Sequence, residues 1–243
     1  MKFTAVAFDL DGTLYPEYRL NLRLLPFIIK EQRLLRAFGR ARKLLRDYDR
    51  DCGGRPDFPP ETKVPHGGDF YDAQAAIIGK ILGEGTEIVR EKTERLIYRG
   101  WEPLFNEVKL FPHVRETLEA FRKAGIKLGI LSDFPLETKL ENLKINHYWD
   151  VVLCSELTGH IKPSPLPFLE LARRMGMPAG EILYVGNSAP YDAEGSRGAG
   201  MKSALVCPAW KRLFAVPNRE IPGGTPADFC FSDYRQLCEY VLN

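Results

Sequence analysis

Two aspartates one residue apart, Asp9 and Asp11, stand at the end of a short apolar run and are followed by Gly12 and Thr13. In open parallel sheets ligands bind beyond the carboxyl ends of the strands, so acids emerging there lie where a site forms. An aspartate in that place can act as a nucleophile and pass through an acyl-phosphate. A second acid two residues on can protonate the leaving oxygen and then activate water, a role worth ~10²–10⁴ in rate. Gly12 permits the sharp turn this needs. Taken alone, Asp-Gly at a strand end also reads as an Asx-turn.

The elements that must position these acids are visible as apolar runs. Ala5 to Phe8, Lys127 to Leu131, Val151 to Cys154, Ile182 to Val185, Ser203 to Cys207 and Asp228 to Phe231 read as strands, the first four buried on both faces and hence parallel. Helical patterns such as Val114 to Ala124, closed by Gly125, and Pro165 to Met175, closed by Gly176, lie between them. The alternation predicts an α/β fold, a doubly wound parallel sheet with a Rossmann-like core. More than a hundred residues separate the first two strands, and helical patterns at Pro26 to Tyr48, Asp69 to Leu82 and Thr86 to Tyr98 fill the gap. The expected organisation is a catalytic core of residues 1–14 and 111–243 carrying an inserted α-helical domain over 15–110. Asp51 to Gly68, dense in glycine and proline, is expected to be a loop.

Four segments occur in the order of a known family. Asp9-Leu10-Asp11-Gly12-Thr13 resembles the opening signature of the haloacid dehalogenase superfamily; Leu131-Ser132-Asp133 resembles its second, Lys162-Pro163 its third, and Val185-Gly186-Asn187-Ser188-Ala189-Pro190-Tyr191-Asp192 its metal-binding segment. The resemblance implies a phosphatase with Asp9 as nucleophile, Asp11 as acid/base and Lys162 stabilising the phosphoryl group. It further implies phosphate contacts from Gly12, Thr13, Ser132, Asp133 and Lys162, and a magnesium ion (Mg2+) held by Asp9, Asp11, Asn187 and Asp192. A lysine and a hydroxyl converging on a transferring phosphoryl group make chemical sense, since its charge is spread over several oxygens. Magnesium is commonly held by one or two carboxylates with water and substrate phosphate. Asn187 departs from the family, whose phosphatases generally carry aspartate there, and Asp133 stands where many relatives have asparagine. Metal-free dehalogenating relatives lack the acid that Asp11 supplies.

Family members with an insert at this place use it as a cap over the substrate, and a moving cap excludes water and brings specificity residues to the phosphate. His66, Asp69 and Tyr71 are the candidates for that role. Ten basic residues between Arg19 and Arg50, against Glu31, Asp47 and Asp49, predict a solvated helix face. The alternative is a module that binds nucleic acid or another anionic surface. A mutase returning the phosphoryl group to its substrate is a further alternative on the same core. The four histidines show no metal-ligand spacing and are expected to pack in core or loops.

Composition sets the remaining expectations. Hydrophobic residues are 44% of the 243 and charged residues 27%, a globular balance, and a formal net charge of +2 does not argue for nucleic acid. Five cysteines without a C-x-x-C pair fit neither a disulfide framework nor a zinc site. The N-terminal apolar run is too short for a signal peptide, and nothing approaches the ~20 apolar residues of a membrane span. The expectation is a cytoplasmic enzyme acting on a small phosphorylated substrate.

Overall fold

The computed structural model describes residues 3–51, 69–101, 105, 108–207 and 227–243, excepting the side chains of 18–23 and 51. His66 therefore lies outside the described residues. Six strands, β1 (Ala5–Phe8), β2 (Lys127–Ser132), β3 (Val151–Cys154), β4 (Ile182–Gly186), β5 (Lys202–Val206) and β6 (Phe229–Phe231), form one sheet. Their order is β3-β2-β1-β4-β5-β6 and every pairing is parallel. β1 is thus flanked by β2 and β4, and the chain runs outward in opposite directions from it. That reversal leaves a crevice at the carboxyl ends where ligands bind in such folds.

The alternation of β1 explains the layering. Val6 and Phe8 face a cluster with Leu128, Ile130, Leu183 and Val185, covered by α5 (Val114–Lys123) and α8 (Tyr234–Leu242). Ala5 and Ala7 face the other side, where Phe168, Leu171 and Met175 of α7 (Pro165–Met175) pack on Ile182 and Tyr184. Small residues on one face and large ones on the other let α7 approach closely. The register places Phe8 beside Ile130 and Val185, so Asp9 leaves its strand level with Leu131 and Gly186, with Asn187 and Asp133 following at the same end of the two adjacent strands.

Between β1 and β2 lie α1 (Glu17–Lys30), α2 (Gln32–Asp51), α3 (Phe70–Leu82) and α4 (Thr86–Thr93). Glu94–Tyr98 continues α4 as a π-turn. The single helix expected over Pro26 to Tyr48 is instead two, separated at Glu31, with Pro26 inside the first. These helices enclose their own cluster around Leu34, Phe38, Phe70, Ile78 and Ile97, to which Ile161 of the core also belongs. No helix among the described residues is long and apolar enough to cross a membrane.

Candidate active site

Asp9 follows β1 directly, its backbone N–H still donating to Val185 O at 2.8 Å. Its carboxylate is 5% exposed at residue level and bonded on both oxygens: Lys162 Nζ lies 2.6 Å from Oδ1, and Thr13 Oγ1 donates to Oδ2 at 2.8 Å. Lys162 Nζ also contacts Asp192 Oδ1 at 2.7 Å. Burial pushes the Asp9 carboxyl up to about 7; Lys162 opposes this, while Asp192 and Asp11 add to it. Burial alone would lower the Lys162 ammonium, but Asp192 and Asp9 outweigh it and hold the group well above its ordinary value. The lysine is therefore a fixed positive charge against the Asp9 carboxylate.

Asp11 turns to a different set of donors. Both its oxygens lie 2.8 Å from Lys139 Nζ, Ser132 Oγ donates to Oδ2 at 3.2 Å, and the Tyr15 hydroxyl donates to Oδ1. Burial would raise the Asp11 carboxyl; Lys139, Tyr15 and Ser132 together hold it below its ordinary value. The two acids are thus separated in protonation behaviour, Asp9 toward the protonated form and Asp11 toward the ionised one, so a nucleophilic Asp9 and a proton-donating Asp11 require bound metal and substrate to invert that order. Sequence reasoning missed Lys139 and Tyr15. Lys139 sits in α6 (Glu137–Asn142), whose mixed Glu/Lys pattern reads as a solvated face, and its partner is remote in sequence.

Asp192 lies in a π-turn, Ala189–Ala193, a conformation common where a helix is distorted for function. Its Oδ2 accepts the N–H groups of Asn187 and Ser188, each at 3.0 Å, and its Oδ1 takes Lys162. A Cβ on Gly186 would fall 2.4 Å from the Asp192 carboxylate, so only glycine allows this approach. With those three donors Asp192 holds the loop and the lysine, and it lines the same cavity as Asp9, Asp11 and Asn187.

Asn187 reaches across to the β1 loop. Gly12 has φ +81°, and a Cβ there would lie 2.1 Å from Asn187 Nδ2. The bare Cα of Gly12 is what admits the amide beside Asp11. Among the described residues no group of three or more His, Cys, Asp or Glu side chains is arranged to hold a metal. Hard oxygen donors do converge, however: the carboxylates of Asp9 and Asp11 line one cavity with the amide-bearing Asn187. Two carboxylates and an amide suit a magnesium ion that keeps several waters and meets substrate phosphate.

Two residues expected to contact phosphate are bonded to the protein in this structure. The Thr13 side chain is fully buried and its hydroxyl is committed to Asp9. The Asp133 carboxylate accepts Ser155 Oγ at 2.6 Å and the Lys162 N–H at 3.0 Å on Oδ1, and Arg46 Nη2 at 3.0 Å on Oδ2. An anionic group so engaged supports Lys162 instead of receiving phosphate. Burial would raise its pKa, but Arg42, Lys162 and Arg46 hold it below the ordinary value. Ser132 and Lys162 remain on the cavity wall beside the two acids.

The basic stretch divides by face. Arg33, Arg36, Arg40, Lys43 and Arg50 are exposed, as a solvated face requires. Arg42 is 4% exposed, pairs with Glu156, and lies 4.5 Å over the Phe134 ring. Arg46 donates to Lys162 O at 2.8 Å as well as to Asp133. His160, expected to pack in core or loop, contacts Asp49 of α2 at 2.7 Å. Together with Arg90, Asp69 and Tyr71 line a second cavity, which shares Tyr98 and Pro135 with the cavity that opens on Asp9. Asp69 caps α3 by accepting the Asp72 N–H and binds Arg90, the ordinary use of aspartate at a helix start.

Known proteins place this arrangement. A family model described as haloacid dehalogenase-like hydrolase matches residues 3–200. A ribulose-1,5-bisphosphate 5-phosphatase of Halopiger xanaduensis is 28% identical, with 85% of each chain covered. A phosphoglycolate phosphatase of Haemophilus influenzae is 32% identical over 65% of this chain and 68% of its own. A HAD phosphatase structure from Thermococcus onnurineus superposes with TM-score 0.61 at 24% identity, covering 98% of both chains, and bears on the fold. The family match spans most of the sequence and all four segments that build the site, and the chain belongs to the haloacid dehalogenase-like hydrolases.

Proposed function

We propose that this chain is a magnesium-dependent phosphatase that hydrolyses a phosphomonoester through an aspartyl-phosphate on Asp9. The observation that carries the reading is the Asp9 carboxylate fixed between Lys162 and Thr13, with Asp11 beside it at the carboxyl ends of the sheet. The phosphatase names of the relatives support the same reaction class. An Asp9 oxygen attacks phosphorus, the ester P–O bond breaks, and the leaving oxygen takes a proton from Asp11. Asp11 then takes a proton from water as its oxygen attacks the phosphorus, and the P–O bond to Asp9 breaks to release phosphate.

Lys162 and the Ser132 hydroxyl stabilise the charge spread over the phosphoryl oxygens. Held by Asp9, Asp11 and Asn187, magnesium would favour the ionised nucleophile and screen its repulsion from the anionic ester. Residues 15–110 act as the cap over the core formed by 1–14 and 111–243, and the enzyme works in the cytoplasm.

Asp9→Asn should abolish turnover of p-nitrophenyl phosphate with magnesium, because an amide supplies no attacking carboxylate oxygen. Asp11→Asn should still bind phosphate but lose roughly 10²-fold or more in rate. Beryllium fluoride, an aspartyl-phosphate mimic, should load the wild type and not Asp9→Asn. Full activity in Asp9→Asn overturns the mechanism.

A further inference from the structure

The cavity that opens on Asp9 has a volume of about 920 Å3. Known small-molecule pockets run to ~300–1,000 Å3, so this one holds far more than a phosphoryl group and a two-carbon stub. Beside the acids its wall is built by Leu24, Leu35, Ile97, Trp101, Phe105 and Phe134, the rings of the last two lying 4.8 and 5.4 Å from Lys139 Nζ. They come from α1, α2, the π-turn, the segment after it and the loop after β2. The wall is apolar and largely aromatic, and cap and core both contribute to it.

Its charges are equally one-sided. Among the described residues the only basic side chains on the wall are Lys139 and Lys162, against the acids Asp9, Asp11, Glu17, Asp133, Glu137 and Asp192. Both lysines are already engaged, Lys139 by the two oxygens of Asp11 and Lys162 by Asp9 and Asp192. The nearby guanidinium groups of Arg42 and Arg46 are turned to Glu156 and Asp133. Among the described residues a second anionic group on the substrate would meet an apolar wall and cations already committed to other carboxylates. An unpaired charge in such surroundings is strongly disfavoured.

Resting on the phosphatase reading above, we infer that the substrate is a phosphomonoester of an uncharged alcohol with a bulky, apolar, aromatic-sized body. Selectivity against short anionic esters then comes from the lack, among the described residues, of an uncommitted cation on the wall, and selectivity for the large body comes from contact with Leu24, Leu35, Ile97 and Trp101. Burying one ring against such a wall corresponds to roughly 10- to 100-fold in affinity. The substrate class differs from that named for the ribulose-1,5-bisphosphate and phosphoglycolate phosphatases to which the chain is similar.

The test compares kcat/KM, with magnesium, for benzyl phosphate, glycerol 3-phosphate, phosphoglycolate and ribulose 1,5-bisphosphate. Benzyl phosphate is an alkyl ester, so intrinsic leaving-group reactivity does not favour it as it would an aryl ester. Benzyl phosphate should exceed each of the others by roughly 10-fold or more. Trp101→Ala should narrow the ratio of benzyl to glycerol phosphate by about 10-fold, and Leu24→Arg should raise phosphoglycolate relative to benzyl phosphate. Equal rates across the series, or a preference for either anionic ester, overturns the inference and leaves the phosphatase reading standing. Absence of turnover for all of them and for p-nitrophenyl phosphate overturns both.

Discussion

Arg46 connects the helical insert to the catalytic lysine, and removing it tests whether that connection matters. Its guanidinium donates to the carbonyl of Lys162 at 2.8 Å and to Asp133 at 3.0 Å, while Asp133 accepts the Lys162 N–H. The peptide groups on both sides of Lys162 Cα are therefore tied, one directly to α2 and the other through Asp133. Arg46→Ala deletes two charge-assisted bonds, each worth ~1.5–3 kcal/mol. The Arg46 side chain is 17% exposed, and Asp133 keeps Arg42 at 3.4 Å, so part of the loss is recovered. The expected destabilisation is about 2 kcal/mol, near the low end of that range. Lys162 acts at 2.6 Å from Asp9, and a displacement of ~1 Å in a reacting group costs up to ~10²-fold. We expect kcat to fall roughly 10- to 100-fold with a smaller change in KM. Arg46→Lys restores one charge but not the two-pronged contact and should fall between. Denaturant unfolding and steady-state kinetics on the same preparations provide the check. A folded Arg46→Ala enzyme that loses stability while keeping its kcat would refute the positioning role.

The remaining predictions concern the metal and the acid range. Asn187→Asp adds a carboxylate beside Asp11 and should lower the magnesium concentration for half-maximal rate several-fold, roughly up to 10-fold; an unchanged magnesium titration would make Asn187 a packing residue on Gly12. Asp133 holds its proton less tightly folded than unfolded, so its contribution is complete above the ordinary value of 3.8 and drains as pH falls through its lower folded value. Thermal unfolding followed from about pH 6 to about pH 3 should therefore show a steeper loss for the wild type than for Asp133→Asn; parallel curves would remove Asp133 from the acid response.

The sheet was legible because parallel strands buried on both faces leave continuous apolar runs, and all six appear close to where those runs predict them. The catalytic constellation was legible for a related reason: its members sit just past strand ends, where short spacing and residue type carry the signal. What stayed hidden depends on contacts between segments remote in sequence. Nothing local marks Lys139 as the partner of Asp11, 128 residues away. Thr13 and Asp133 sit within the right motifs, yet their side chains bond inward, and only the packing shows it. The break at Glu31 was missed because leucines, isoleucines and basic residues recur at helical spacing on both sides of it.

The basic helix shows how one pattern can hold two physical meanings. Charge alone makes Arg33, Arg36, Arg40, Arg42, Lys43, Arg46 and Arg50 equivalent, and a count of them predicts one uniform solvated face. Burial separates Arg42 and Arg46 from the rest, because these two meet Glu156, Asp133 and the Phe134 ring at the seam with the core. Taking such charges out of water can cost as much as their attraction returns, so the cluster is weak evidence for stability. It is better understood as fixing register. The seating of α2 pairs both guanidinium groups, satisfies Asp133 and ties Lys162. A seating displaced by one helical turn would leave buried charges unmatched, a penalty of several kcal/mol. The contacts that seat α2 against the core thus also hold the backbone of Lys162, whose ammonium lies against Asp9.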